Sequence, residues 1–201
     1  SVFPSTVAPV LDAAVAANET VGYAYFFTEP GTAGPNSKLY YGVRAGPTSA
    51  PAFGEKLVYN SNQGATTFLI GQHPSLDFDT SSNPVIAFQD ALTATRGFLM
   101  LARSSDKGTS FAVETVDGAA TGNIVGTFSS VDVHTDNAIG ISYFDSTNLR
   151  LKFAKKAANG SWRRFFVDGP GASCGVGTTA GSYSRFKWTS SGQPVIAYQA
   201  T

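Results

Sequence analysis

Acidic side chains recur at a fixed interval along this chain, and a carboxylate can accept hydrogen bonds from a sugar. Asp77 and Asp132 are 55 residues apart, as are Asp90 and Asp145. A residue that repeats in this way more often supports a turn than performs chemistry. Alternatively, Asp90 and Asp145 follow a predicted strand and point into a rim or central funnel, where they bind a sugar. The candidate ligand-binding residues are Asp90, Asp145, Gln89 and Arg150.

The other reactive side chains give little indication of a metal or redox site, although a zinc or calcium site that includes the acids is possible. His73 and His134 occupy different positions of the repeat, so they cannot assemble a metal site without help from the acids. Cys174 is the only cysteine, which excludes an internal disulfide and a cysteine metal cage. Whether it is free or pairs between chains stays open. Trp162 and Trp188 could stack on sugars, but they lie where the repeat buries an aromatic residue. We predict no cofactor, no metal and no catalytic residue.

Charge and hydropathy exclude two classes of partner. Fourteen basic residues balance fourteen acidic ones, so no long-range field draws the chain onto nucleic acid or an anionic membrane. Apolar stretches such as Val21–Phe27 are far shorter than a membrane helix requires. Because no charged-then-apolar segment begins at Ser1, we expect that any leader has been removed. The sequons at Asn18 and Asn159 would be glycosylation acceptors only in a eukaryotic secretory pathway.

The strongest pattern is an internal repeat. A shift of 55 residues aligns Gly71–Asp90, Gly126–Asp145 and Gly181–Ala200 without a gap. In each copy, apolar residues at every second position predict a first strand. A short polar turn then leads to a second strand that is rich in β-forming residues. The third and fourth strands are predicted at residues 97–103 and 110–116 in one copy and at 148–154 and 161–167 in the next.

The first third of the chain reads as a divergent copy of the same unit. Pro9–Asp12 resembles Pro74–Asp77, and three further strands are predicted at residues 22–27, 39–44 and 55–59. The alanine-rich segment Val10–Ala17 could mimic a helix. We predict a strand there, because the corresponding positions of the other copies are strands.

Four-stranded units of this length are typical of β-propellers, in which each unit is one blade that buries its faces against its neighbours. We therefore predict an all-β fold of propeller-like antiparallel blades in a single repeat domain. Residues 1–70 form a divergent blade, 71–125 and 126–180 form two blades, and 181–201 form half a blade, about three and a half in all. Since a closed ring normally needs about four blades or more, either the chain is a fragment or strands come from elsewhere.

A short motif carries a family resemblance. Residues 104–111, Ser-Ser-Asp-Lys-Gly-Thr-Ser-Phe, resemble the Asp-box of sialidase-like (BNR-type) propellers, and they occupy the loop between the third and fourth strands where that family carries it. Asp106 would accept backbone N–H groups of its own turn, Gly108 would allow positive φ, and Phe111 would pin the turn to the sheet. The resemblance implies a secreted or cell-surface propeller with a structural turn here. It does not imply a particular ligand, because the family contains glycosidases, lectins and adhesive modules.

Three functional hypotheses follow, in order of preference. The first is a non-catalytic module that binds a glycan or protein through blade-end loops. The second is a self-assembling protein whose incomplete last blade, with its edge at Gln193–Thr201, is completed by another chain. The third is a sialidase-like glycoside hydrolase, which would need three arginines, a tyrosine activated by a glutamate, and an acid. Only four glutamates are present, Glu114 falls on an outer strand, and the arginine motif is absent from Ser1–Thr20.

Overall fold

A computed structural model describes residues 10–29, 36–44, 55–60, 70–93, 96–118, 122–157, 159–172 and 178–201. Cys174 and the first nine residues lie outside these ranges. The described residues form fourteen β-strands and no helix. No helix among them could therefore cross a membrane.

The strands form three four-stranded antiparallel sheets and one two-stranded sheet, each a meander in sequence order. The first sheet contains β1 (Val10–Val15), β2 (Val21–Glu29), β3 (Asn36–Arg44) and β4 (Lys56–Tyr59). The second contains β5 (Ile70–Phe78), β6 (Pro84–Thr93), β7 (Arg96–Arg103) and β8 (Ala112–Asp117). The third contains β9 (Val125–Val133), β10 (Ile139–Asp145), β11 (Arg150–Lys156) and β12 (Trp162–Asp168). The last pairs β13 (Ala180–Trp188) with β14 (Pro194–Ala200).

Side-chain patterns explain where the strands begin and end. The second strand of a repeat is sandwiched between neighbouring sheets, and β10 is accordingly buried along its whole length. Polar turns end the first strands. In the turn after β5, Asp79 Oδ1 accepts hydrogen bonds from the N–H groups of Ser81 and Asn83 at 2.9 and 2.8 Å. The alanine-rich segment at the start of the chain is the strand β1.

The sheets pack face to face as blades. One apolar core lies between the first and second sheets and includes Phe78 and Phe88, and a second core lies between the second and third sheets and includes Leu101 and Ile141. The first strands β1, β5, β9 and β13 follow one another as spatial neighbours. This arrangement confirms the predicted fold class, an all-β propeller-like fold of about three and a half blades.

Polar side chains on each first strand bond to the backbone of the next. Asp12, Ser75 and Ser130 accept hydrogen bonds from the N–H groups of Leu76, Val131 and Phe186, with lengths of 2.8, 3.0 and 3.1 Å respectively. The recurring acids continue the pattern, since Asp77 accepts from Val133 and Asp132 accepts from Trp188, both at 2.7 Å. Asp12 therefore corresponds to Ser75. The alignment of Asp12 with Asp77 is wrong by two residues, because four similar residues do not determine strand register.

In the described part of the chain, the last sheet has only two strands. β14 hydrogen-bonds to β13, and the exposed fraction of Val195 on β14 is 55%. A strand edge of this kind can template pairing with another chain. Completion of the sheet at Gln193–Thr201 by a second copy stays a prediction.

Candidate functional site

The four first strands surround a central cavity of about 860 Å³. Residues of β1, β5, β9 and β13 line it together, so each blade contributes its innermost strand. A cavity of this size is within the range of small-molecule sites. The central cavity is therefore the candidate functional site.

Three aromatic rings line the cavity at one position of the repeat. His73, Phe128 and Tyr183 are each separated by 55 residues and belong to β5, β9 and β13. The ring centroids of His73 and Phe128 are 4.8 Å apart, and those of Phe128 and Tyr183 are 4.5 Å apart. We call these three side chains the aromatic ladder. Tyr183, at one end, is 67% exposed.

All three residues of the ladder have a backbone conformation that bulky residues rarely adopt. Their φ angles are +50° at His73, +52° at Phe128 and +53° at Tyr183. β5 and β13 shift register beside these residues, as expected for β-bulges that re-aim a side chain. Such strain persists only where the surroundings enforce it, and it concentrates at functional sites.

Serines of the following blade hold this conformation. Ser129 Oγ donates a hydrogen bond to the carbonyl oxygen of His73 at 2.7 Å, and Ser184 Oγ donates to that of Phe128 at 2.9 Å. Each serine immediately follows the next residue of the ladder in sequence. At two positions of the ladder, therefore, a serine of one blade holds the backbone of the ladder residue on the blade before it.

Charged side chains of the same strands also line the cavity. Burial raises the pKa of Asp77, and the hydrogen bond from the Val133 N–H opposes this effect only in part. Burial would lower the pKa of Lys187, but its hydrogen bond to Asp132 and the charge of Asp132 outweigh burial and raise it. Asp12 and Arg185 also line the cavity. Acids and bases thus nearly balance around it.

The ligand-binding residues predicted from the sequence lie elsewhere. Gln89, Asp90 and Asp145 are buried, and none of them, nor Arg150, is among the described residues that line the cavity. Asp90 and Asp145 are paired across their sheets with the first residues of β5 and β9. They are therefore at the same end of the blades as the ladder, but within the sheets.

Each of these residues has an intramolecular partner. Gln89 Nε2 donates to the Val125 carbonyl at 3.1 Å, and Tyr59 Oη donates to Asp90 Oδ2 at 3.0 Å. Burial raises the pKa of Asp90. Asp145 Oδ1 accepts the Asn148 N–H at 3.0 Å, and Arg150 Nε donates to the Pro170 carbonyl at 2.9 Å. These contacts give the four residues structural roles, and sugar binding by them stays a prediction.

The loop between β7 and β8 forms a tight hydrogen-bonded turn around Asp106. Its Oδ1 accepts the Ser110 N–H at 2.8 Å, and its Oδ2 accepts the Ser110 hydroxyl at 2.6 Å. Gly108 has φ of +87°, and a Cβ there would lie 2.3 Å from the Tyr41 ring. Phe111 packs edge-on against the same ring with centroids 5.5 Å apart. The turn is thus attached to the neighbouring blade.

Asp106 makes the stability of this turn dependent on pH. Hydrogen bonds from Ser110 and Ser104 lower its pKa from 3.8 to about 2. A depressed folded-state pKa stabilises the fold above the unfolded-state pKa, and the stabilisation is lost as pH falls toward 2. We expect the difference in Tm between wild type and Asp106→Asn to be constant near neutral pH and to shrink between about pH 4 and pH 2. Thermal unfolding across this range measures the difference. A difference that does not change below pH 4 would contradict the assignment. Ser105→Ala, at an exposed position of the same loop, keeps Asp106 and its donors and is the control.

The remaining candidates lie at inter-blade contacts or in turns. Trp188 packs against Phe153 and Phe186 with centroids 5.9 and 5.1 Å away, and its Nε1 donates to the Asp132 carbonyl. Trp162 is half-buried beneath Lys156. His134 Nδ1 is 2.9 Å from Asp136 Oδ1. In the described ranges, no three His, Cys, Asp or Glu side chains cluster as a metal site would require. The sequon residues Asn18 and Asn159 lie in exposed turns.

Comparison with known proteins supports the architecture. No family model matches the chain, and no curated protein is significantly similar to it in sequence. A solved structure, the crystal structure of endo-arabinase from Bacteroides thetaiotaomicron VPI-5482, matches with a TM-score of 0.51 and 14% sequence identity. The match covers 94% of this chain and 69% of that chain. It shows a propeller-type fold shared with a glycoside hydrolase, while membership of the Asp-box family stays a prediction.

Proposed function

We propose that this chain is a non-catalytic, secreted or cell-surface module that binds a glycan against the aromatic ladder in its central cavity. The observation that carries the proposal is the ladder itself, three rings presented to a cavity by strained backbone at the same position of three blades. A core aromatic would not need this backbone conformation. We therefore propose the aromatic ladder, in preference to the blade-end residues, as the glycan-binding site.

The chemistry of the cavity fits a sugar better than a purely apolar ligand. A sugar ring offers C–H groups on its faces, which pack on aromatic rings, and hydroxyls at its edges, which need hydrogen-bond partners. The rings of His73 and Tyr183 carry polar atoms, and Asp12 and Arg185 line the same cavity. Burial lowers the pKa of His73, which favours the uncharged form of its ring at neutral pH. The fold of the endo-arabinase adds support, since that protein is carbohydrate-active.

Truncation of the exposed end of the ladder tests the proposal. We expect Tyr183→Ala to lower affinity for the bound glycan about tenfold, because one stacking ring is lost. The test begins with affinity electrophoresis on linear arabinan, xylan, mannan and polygalacturonate, followed by calorimetric titration of the polymer that binds. Tyrosine and alanine both carry a Cβ atom, so the positive φ at position 183 strains the backbone of the variant about as much as that of the wild type.

Phe165→Ala is the matched control. Phe165 lies on the outer strand β12, outside the cavity lining, and is 41% exposed. The Phe165→Ala variant should bind the glycan with the affinity of the wild-type chain. Equal loss of binding in both variants, or retention of binding by a stably folded Tyr183→Ala chain, would refute the ladder as the site. Asp90→Asn in the same titration tests the blade-end alternative.

Glycoside hydrolysis is the second candidate, and one observation favours it. Asp77 lines the cavity with a raised pKa, as a general acid requires. Its Oδ2 is, however, already engaged by the Val133 N–H. Release of new reducing ends from a panel polymer, abolished by Asp77→Asn while binding persists, would establish hydrolysis in place of binding alone.

A further inference from the structure

The arrangement of the ladder carries information about the length and shape of its ligand. His73, Phe128 and Tyr183 belong to three consecutive first strands, so the ladder runs across the strands and around the cavity. Neighbouring rings are in contact and tilted against each other, with centroids 4.8 and 4.5 Å apart and planes inclined by 54° and 42°. This spacing is comparable with the length of one sugar ring in a chain. A single sugar can cover only part of such a surface.

We propose that the ladder is a series of adjacent subsites for consecutive rings of a linear, uncharged oligosaccharide that lies across the blades. This inference rests on the proposed glycan-binding function and specifies its ligand class. Three subsites fall within the described residues, one for each ring of the ladder. Phe128 is the middle subsite, and His73 and Tyr183 are the end subsites.

Three observations favour a chain over a compact ligand. The subsites are related by the 55-residue repeat, and a receptor built from repeats matches a ligand built from repeats. The cavity volume of about 860 Å³ exceeds what one sugar ring fills. The polar rings His73 and Tyr183 flank the apolar ring of Phe128, so hydrogen-bonding groups stand at both ends of a central stacking surface.

The balance of charge favours an uncharged chain. The charged side chains that line the cavity are Asp12, Asp77, Arg185 and Lys187, and Asp132 on β9 is hydrogen-bonded to Lys187. The three acids each accept a backbone N–H of the next blade. A polyanion would therefore meet no concentration of unpaired positive charge. Polygalacturonate is a polyanion, so it is the negative control and we expect it not to bind.

The test is a chain-length series. For the wild-type chain, calorimetric affinities for linear arabino-oligosaccharides and xylo-oligosaccharides are measured from monosaccharide to hexasaccharide. We expect affinity to rise about threefold to tenfold with each added ring up to the trisaccharide and then to level off. In Tyr183→Ala the plateau should begin one ring earlier. In Phe128→Ala the gain beyond the first ring should largely vanish, since the two remaining subsites are no longer adjacent.

The outcomes separate this inference from the function on which it rests. If the series binds but monosaccharide and hexasaccharide have equal affinity, the ladder is a single subsite and the inference is wrong while glycan binding stands. A uniform loss at every length in Tyr183→Ala leads to the same conclusion. If no polymer of the panel and neither oligosaccharide series binds, both the inference and the proposed function fail. Thermal unfolding of each variant, compared with Phe165→Ala, shows that the chain is folded in the titration.

Discussion

Replacement of Asp117 by alanine should destabilise the fold by about 3–5 kcal/mol, the usual consequence of removing one partner from a buried charged pair. Asp117 ends β8 and is 7% exposed. Its Oδ2 accepts hydrogen bonds from the Tyr143 hydroxyl at 2.7 Å and from Lys152, both on the next blade. Its Oδ1 accepts the Gly118 N–H at 2.9 Å. The truncation therefore breaks the contact between two blades at several points.

The size of the effect follows from the groups left behind. Tyr143 is completely buried, so its hydroxyl would lose its acceptor without gaining water. Lys152 would keep its charge in a mostly buried position. Burial alone would raise the pKa of Asp117, but the hydrogen bonds from Lys152 and Tyr143 outweigh burial and lower it. The stabilisation is thus present at neutral pH and is lost as pH falls below about 4.

Asp168→Ala is the matched control. Asp168 ends β12 and accepts a hydrogen bond from the Tyr198 hydroxyl at 2.5 Å, so it is the equivalent contact one blade later. Tyr198 is half-buried, and its hydroxyl can turn to water when the acceptor is lost. We expect a loss of about 1–2 kcal/mol. Urea denaturation measures both variants. A cost for Asp117→Ala that is no greater than that for Asp168→Ala would show that the contact is not a buried charged pair.

The repeat made the architecture predictable, because periodicity in apolar residues reports strands directly. The alanine-rich segment at Val10–Ala17 shows the advantage of comparison between copies. Its composition favours a helix, but its place in the repeat indicates a strand, and the structure contains β1 there. The register of the same strand was not predictable. Asp12 bonds to Leu76, and only the contact between blades determines that position.

The aromatic ladder could not be predicted from residue identities and local preferences in the sequence, for two physical reasons. His73, Phe128 and Tyr183 share a position and an aromatic ring but not a residue type, so a comparison that weighs identity gives them no prominence. Their positive φ angles arise from bulges held by serines of another blade. Local preference disfavours that conformation for each residue. A search for side-chain class at fixed repeat positions would have found the ladder.

The burial of the blade-end acids was not predictable from the sequence. Asp90 and Asp145 follow the predicted second strands, and this position suggests a place in the rim or the central funnel. Both remain inside strands, and each is less than 5% exposed. The second strand of a blade is covered by sheets on both faces, so a residue at its end is enclosed as well. Exposure at a strand end depends on the neighbouring blades, which sequence periodicity does not describe.

Replacement of Gly126 by alanine, which adds one methyl group, should destabilise the fold by several kcal/mol. Gly126 lies at the start of β9, where its φ is +96°, and a Cβ there would lie 3.0 Å from Leu99 Cα and 3.1 Å from the Phe98 carbonyl oxygen. Unfavourable φ costs about 1–3 kcal/mol, and overpacking costs about 1–3 kcal/mol more. The obstructing atoms are mainly backbone and cannot rotate away. Gly181, one repeat later, makes the same close approach to Leu151.

Gly122→Ala separates the two contributions. Gly122 also has positive φ, +67°, but a Cβ there would meet no atom within 4 Å. The Gly122→Ala substitution should therefore lower the free energy of unfolding only by the backbone strain, about 1 kcal/mol. Chemical denaturation of both variants isolates the steric part as the difference between them. Equal losses would mean that β9 can move away from β7, and that contact between the second and third blades is looser than a shared core requires. A large difference would show why glycine recurs at positions 126 and 181, where the first strand lies close to the backbone of the blade before it.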